Sequence, residues 1–123
     1  MDLRPDQALH RDQRRLPKLT AGVILTTAGS EAEAEAIAEA LLSERLAACV
    51  QLSPIKSRYV WKGELARDDE ILLLIKTRTV LFEPVRARIR ALHSYETPEI
   101  VMLPATAVDA EYLAWIGAET GEI

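Results

Sequence analysis

Five consecutive apolar residues, Ile71–Ile75, restrict this chain more than any other stretch of it. The run is short for a helix and has no polar side to turn toward water. It suits a strand that is apolar on both faces and sits in the middle of a sheet, with neighbours on either side and a covering layer. At 123 residues the chain can build one such core and not two.

The flanking patterns supply the neighbours. Thr20–Ala28 is rich in β-branched residues, reads as a strand, and stops at Gly29-Ser30. Ser30 and Glu33 have the spacing of a capping box, which starts a helix over about Glu31–Leu46. Its apolar face is Ala34, Ile37, Ala38 and Leu41 with Leu42 or Ala48, and Glu31, Glu35, Glu39 and Glu44 mark the wet side. Two strands follow, about Cys49–Trp61 and Glu70–Lys76, with a turn near Lys62-Gly63. Pro54 cannot donate to a ladder, so it marks an edge or a bulge. A second helix over about Leu81–Leu92 has Pro84 in its first turn. Phe82, Val85, Ile89 and Leu92 share one face, and Arg86, Arg88 and Arg90 the other. A strand over about Glu99–Leu103 comes next. Last is a short helix capped by Asp109, with Tyr112, Leu113, Trp115 and Ile116 available for burial. The order β-α-β-β-α-β plus one helix predicts an α+β, ferredoxin-like antiparallel sheet with two helices on one face.

Charge and composition exclude several functions. Residues 1–18 hold five basic side chains against three aspartates, so the acid excess behind the net charge of −4 lies in residues 19–123. An acidic body argues against a nucleic-acid partner. No apolar run approaches the roughly 18 residues of a membrane span. Cys49 is the single cysteine, so no internal disulfide forms and a reducing, cytoplasmic setting is expected. The expected organisation is a flexible leader over 1–18 and one folded domain over 19–123.

The usual chemical motifs are missing. The strand Ile71–Arg78 lacks the aromatics of an RNA-recognition sheet. The first strand-to-helix loop has no C-x-x-C, and no P-loop, G-x-G-x-x-G or nucleophile elbow occurs. One polar cluster stands out at the end of the second helix: His93, Ser94, Tyr95, Glu96, Thr97, Pro98, Glu99. It reads two ways. Imidazole and carboxylate suit copper or zinc, but a histidine also sits well at a helix C-terminus on structural grounds alone. Cys49 is either a small buried apolar residue or a soft ligand. Lys76 is a functional ammonium or the wet end of a strand. Trp61 and Trp115 read as core or interface aromatics.

Five blocks together carry a resemblance: Arg45–Val50 (RLAACV), Tyr59–Glu64 (YVWKGE), Leu73–Arg78 (LLIKTR), His93–Ile100 (HSYETPEI) and Tyr112–Ile116 (YLAWI). In this order and spacing, from about Val23 to Ile116, they resemble the CutA family, the divalent-cation tolerance proteins. The resemblance implies a ferredoxin-like, cytoplasmic homotrimer whose long hairpin pairs with neighbouring subunits, with Tyr59, Trp61 and Trp115 as seam residues. It implies a role in tolerance to copper and other divalent ions, and a weakly bound copper or other divalent cation. His93, Glu99 and Cys49 match the residues to consider as ligands. Ser94 replaces the proline usual after the histidine. Thr26 stands where some bacterial members carry a cysteine proposed to bind copper, which implies weakened affinity for soft metal. On this reading His93→Ala abolishes copper uptake and leaves the trimer intact. The alternative is a module similar to the trimeric PII signalling proteins, with Lys76, Tyr95, Glu96 and Trp61 lining an effector cleft between subunits. A ligand-free structural trimer is a third reading. An enzyme is not expected, since nothing places a nucleophile or oxyanion donor beside Glu96, Glu99 and His93.

Overall fold

The computed structural model describes residues 19–121; the leader expected over 1–18 lies outside the described residues. The elements are β1 (Ala21–Ala28), α1 (Glu31–Ser43), β2 (Cys49–Trp61), β3 (Glu64–Arg78), a 3-10 turn (Thr79–Leu81), α2 (Phe82–Leu92), β4 (Val101–Pro104) and α3 (Ala110–Glu119). The four strands form one sheet in the order β2-β3-β1-β4, and each neighbouring pair is antiparallel. This is the ferredoxin-like α+β arrangement.

The apolar run lies where its composition requires. Residues 71–75 belong to β3, which is paired on one side to β1 (Ile75 to Ile24, Leu73 to Thr26) and on the other to β2 (Ile75 to Val50, Leu73 to Leu52). Strand alternation sends Leu73 and Ile75 to the helical face. There they meet Ile24 of β1, Ala34, Ile37 and Leu41 of α1, and Val85 and Ile89 of α2 in one buried cluster. The Ser30 hydroxyl caps α1 by accepting the Glu33 amide, and the Asp109 carboxylate caps α3 by accepting the Glu111 and Tyr112 amides. Gly22 permits the β1–β4 pairing, because a Cβ there would stand 2.6 Å from the Leu103 carbonyl oxygen.

Several boundaries differ from the sequence reading, each for a physical reason. The helix α1 stops at Ser43 rather than Leu46, because Arg45 adopts a left-handed conformation (φ 58°) and reverses the chain. Its guanidinium then donates to the Ala118 carbonyl at 2.7 Å and to the Glu119 carbonyl at 3.3 Å. It thus satisfies free carbonyls at the end of α3. The strand β3 starts at Glu64, not Glu70, so the hairpin is a continuous ladder from the Cys49–Lys76 pair to the Trp61–Glu64 pair. Pro54 does not interrupt β2; as an edge strand, β2 has no second partner to lose. Of the apolar residues in α3 only Ile116 is buried, while Tyr112 and Trp115 stay partly exposed.

Candidate functional site

At the base of the hairpin the loop after α2 folds back past the end of β1 and borders a cleft of about 590 Å³. Ser57, Tyr59 and Trp61 of β2 form one wall, Glu70 of β3 lies at the floor, and Tyr95, Glu96, Thr97 and Glu99 form the opposite side. Glu70 is a buried carboxylate, only 7% exposed. The Tyr95 hydroxyl donates to its Oε2 at 2.8 Å, and the Tyr59 hydroxyl donates to Asp68 on the same strand.

Both phenols hold their protons more tightly than a free tyrosine. Burial pushes the Tyr95 pKa well above its ordinary value of 10.0, helped by the bond to Glu70. The bond to Asp68 raises that of Tyr59. A phenol that keeps its proton more tightly when folded adds stability that is complete below pH 10 and is lost as pH climbs beyond it. Tyr95→Phe is therefore expected to cost about 1 kcal/mol at neutral pH and to flatten the alkaline decline. Urea unfolding midpoints between pH 8 and pH 11 measure both; an unchanged alkaline slope would show that Tyr95 is not the group responsible.

The loop is anchored by His93. Its side chain is fully buried (0% exposed). Its Nε2 lies 2.6 Å from the Thr27 carbonyl oxygen, and its Nδ1 accepts the Tyr95 amide at 3.0 Å. Nε2 is thus the protonated nitrogen, because the carbonyl can only accept, and the one lone pair of the ring is spent on Tyr95. The ring also stacks obliquely on Tyr95, 4.7 Å between centroids.

This geometry separates the residues picked out from sequence. Trp61, Tyr95, Glu96 and Glu99 line the cleft together with Tyr59. Lys76 does not: it lies opposite Cys49 near the other end of the sheet, with its ammonium 5.7 Å from the Tyr112 ring centroid. Trp115 packs on Tyr112 in α3, 5.5 Å between centroids. Within one chain His93, Glu99 and Cys49 do not form a ligand set. A metal takes imidazole through a free lone pair, and His93 offers none. Cys49 pairs with Lys76 whereas Thr27, the partner of His93, pairs with Leu72. Those two points on β3 are four residues, or about 13 Å, apart. Thr26, where a thiolate would have added softness, is wholly buried, and its hydroxyl has no partner among the described residues. Among the described residues no group of three or more His, Cys, Asp or Glu converges as a metal centre.

Glu70 and Asp68 are the site residues that sequence reasoning missed. Both lie in Asp68-Asp69-Glu70, which looks like the solvated end of a strand. The available signal was the position of Glu70, directly before five apolar residues in a central strand.

A four-stranded ferredoxin-like sheet, a hairpin running past its own core and a polar cleft beside the hairpin define a class of small α+β proteins. Comparison makes the class specific. Residues 22–119 match the family model of the CutA1 divalent ion tolerance protein. The divalent-cation tolerance protein CutA of Thermus thermophilus is 49% identical over 100 residues, which are 80% of this chain and 97% of that protein. Among solved structures, CutA1 of Oryza sativa superposes with a TM-score of 0.82 at 35% identity, over 85% of this chain and 96% of the other. The periplasmic divalent cation tolerance protein CutA of Archaeoglobus fulgidus gives 0.79 at 41% identity, over 80% and 97%. The chain belongs to the CutA1 divalent ion tolerance family.

Proposed function

We propose that this protein is a cytoplasmic homotrimer that takes up divalent metal weakly, copper being the ion to test, and serves ion tolerance by binding rather than catalysis. The observation that carries the reading is the cleft, where the exposed carboxylates of Glu96 and Glu99 stand beside buried Glu70. Carboxylates are adequate donors for a divalent ion but do not make a tight copper site without imidazole or thiolate. With no converged shell among the described residues, uptake is weak and reversible. His93 contributes by holding the loop that presents Glu96 and Glu99, not as a ligand.

Three features support the trimer. The hairpin strands are 13 and 15 residues long, against about five or six in most sheets, and β2 carries an unpaired outer edge. Large apolar side chains lie open on the hairpin and on β4: Leu65 is 88% exposed, and Val60 and Leu103 are more than half exposed. Tyr59, Trp61 and Trp115 are also partly open, as seam residues must be in a separated subunit. The single cysteine accords with a reducing compartment.

Native mass spectrometry of chelator-stripped protein titrated with copper tests this directly. The expected result is a trimer with a small fixed number of ions per subunit, and uptake weakened about tenfold in a Glu96→Gln, Glu99→Gln variant. Graded, non-saturating adducts, or identical uptake by the variant, would overturn the assignment.

A second reading is favoured by the presence of Trp61, Tyr95 and Glu96 in one cleft. In it, the trimer is an effector-binding module similar to PII proteins. Stabilisation by a small organic ligand, with no response to copper, would select it.

A further inference from the structure

We infer that Glu33 and His93 form a proton-operated latch on the loop after α2: the neutral ring holds the loop, and the protonated ring turns to Glu33 and releases it. The inference does not depend on metal uptake. It begins at the capping box. The Ser30 hydroxyl accepts the Glu33 amide, as that motif requires. The Glu33 carboxylate points elsewhere. Its side chain is only 18% exposed, and its Oε1 is enclosed with no hydrogen-bond partner among the described residues. That oxygen lies 3.7 Å from Nδ1 of the wholly buried His93.

Two acceptors therefore stand side by side, and neither helps the other while the ring is neutral. The Nδ1 lone pair is occupied by the Tyr95 amide at 3.0 Å, and Nε2 donates to the Thr27 carbonyl. An enclosed carboxylate oxygen without a donor is costly. One proton from solvent removes that cost. Bound at Nδ1, it takes the lone pair, so the bond from the Tyr95 amide breaks and a bond from Nδ1–H to Glu33 Oε1 forms. Charge-assisted bonds of this kind are roughly 2.8 Å long, so the exchange needs a movement of about 1 Å. Nε2 keeps the Thr27 carbonyl in both states. The ring stays pinned to β1 while its other side changes partner.

The surroundings suit the exchange. Glu33 of α1 and Tyr95 of the loop face the ring, and Glu70 of β3 lies behind the Tyr95 hydroxyl. From β1 the ring meets the Thr27 carbonyl. His93 also ends α2, where free carbonyls favour a cation, and Arg90 in the last turn of that helix is exposed. Enclosure opposes an isolated imidazolium, but beside an ionised Glu33 the new charge is paired. The consequence falls on the cleft. Tyr95 is held by its amide on His93 and by its hydroxyl on Glu70. Loss of the first bond leaves the second to hold it, and Glu96 and Glu99, further along the same loop, line the cleft. A proton taken up behind the loop thus loosens the wall in front of it.

The test uses the full chain carrying His10→Gln, which leaves His93 as the one histidine. The protein is labelled with nitrogen-15 and kept in chelator-treated buffer. Nuclear magnetic resonance follows the His93 ring nitrogens and the Tyr95 amide from pH 8 to pH 4.5, the range in which a histidine ordinarily changes charge. The expected result is that Nδ1 gains a proton while the chain stays folded, Nε2 stays protonated throughout, and the Tyr95 amide signal moves with the same midpoint. Glu33→Gln keeps an oxygen acceptor and removes the charge, and is expected to lower the proton affinity of the ring about tenfold. If Glu33→Gln does not fold, Glu33→Asp, which withdraws the carboxylate by one methylene, is expected to lower it in the same direction. Three outcomes would overturn the proposal: an Nδ1 that stays unprotonated as far down as the chain remains folded, a proton affinity unchanged in the folded variant, or a Tyr95 amide that stays still while the ring titrates. Because no copper is present, none of these bears on the metal reading.

Discussion

His93→Ala is expected to loosen the fold rather than empty a metal centre. The imidazole is wholly enclosed and ties two backbone groups together, the Thr27 carbonyl of β1 and the Tyr95 amide of the following loop. Truncation leaves both without their partner and opens a cavity the size of a ring. An unpaired buried polar group costs about 1–3 kcal/mol, so a loss of about 3 kcal/mol is expected once the cavity is included. The effect extends to the cleft, because Tyr95 is positioned by its amide and by the stack on His93. A looser Tyr95 holds Glu70 less firmly, and the alkaline decline in stability becomes shallower. Urea unfolding measured beside copper titration distinguishes the two roles of the histidine. A positioning residue gives a large drop in midpoint with copper uptake per folded molecule retained. Wild-type stability with uptake abolished is the signature of a ligand and would contradict the geometry.

The fold was legible wherever a segment both buries a face and carries its own punctuation. Ser30, Asp109 and the run at 71–75 each fix one element from local chemistry, and the order of elements follows from them. The hairpin was underestimated because Glu64–Asp69 has little to bury. Its register is held by the ladder with β2, and an exposed ladder imposes no alternation of apolar and polar residues. The end of α1 was hidden for a different reason: the left-handed residue is an arginine, not the glycine that usually signals such a stop. At the site, the cluster 93–99 was visible as a concentration of functional side chains. Its internal geometry was not, since spacing cannot tell whether a histidine at a helix end turns outward to a ligand or inward to a carbonyl. Glu70 carried only the signal of its place directly before the apolar run; its bond to Tyr95, 25 residues away, is a tertiary contact that spacing does not show.

Leu73→Ala is expected to be among the most damaging single substitutions in the core, and comparison with Leu65→Ala shows why position on β3 decides the effect. Leu73 is fully buried and lies between Thr26 of β1 and Leu52 of β2, beneath the helices. Close packing on every side leaves little room to collapse, so the cost is expected at about 3–4 kcal/mol. Leu65, on the same strand, is 88% exposed near the hairpin turn. Its truncation is expected to change the stability of the subunit fold by less than about 0.5 kcal/mol. If the hairpin is covered by neighbouring copies, Leu65→Ala nevertheless weakens assembly, and that loss depends on protein concentration. Denaturant midpoints over a wide concentration range separate the two terms. The Leu73→Ala deficit persists at every concentration, whereas the Leu65→Ala deficit grows on dilution. A deficit from Leu65→Ala that is large and independent of concentration would mean that the hairpin packs back on its own chain, against the observed exposure. No deficit at any concentration would remove the hairpin tip from the assembly surface and leave its apolar residues without a partner.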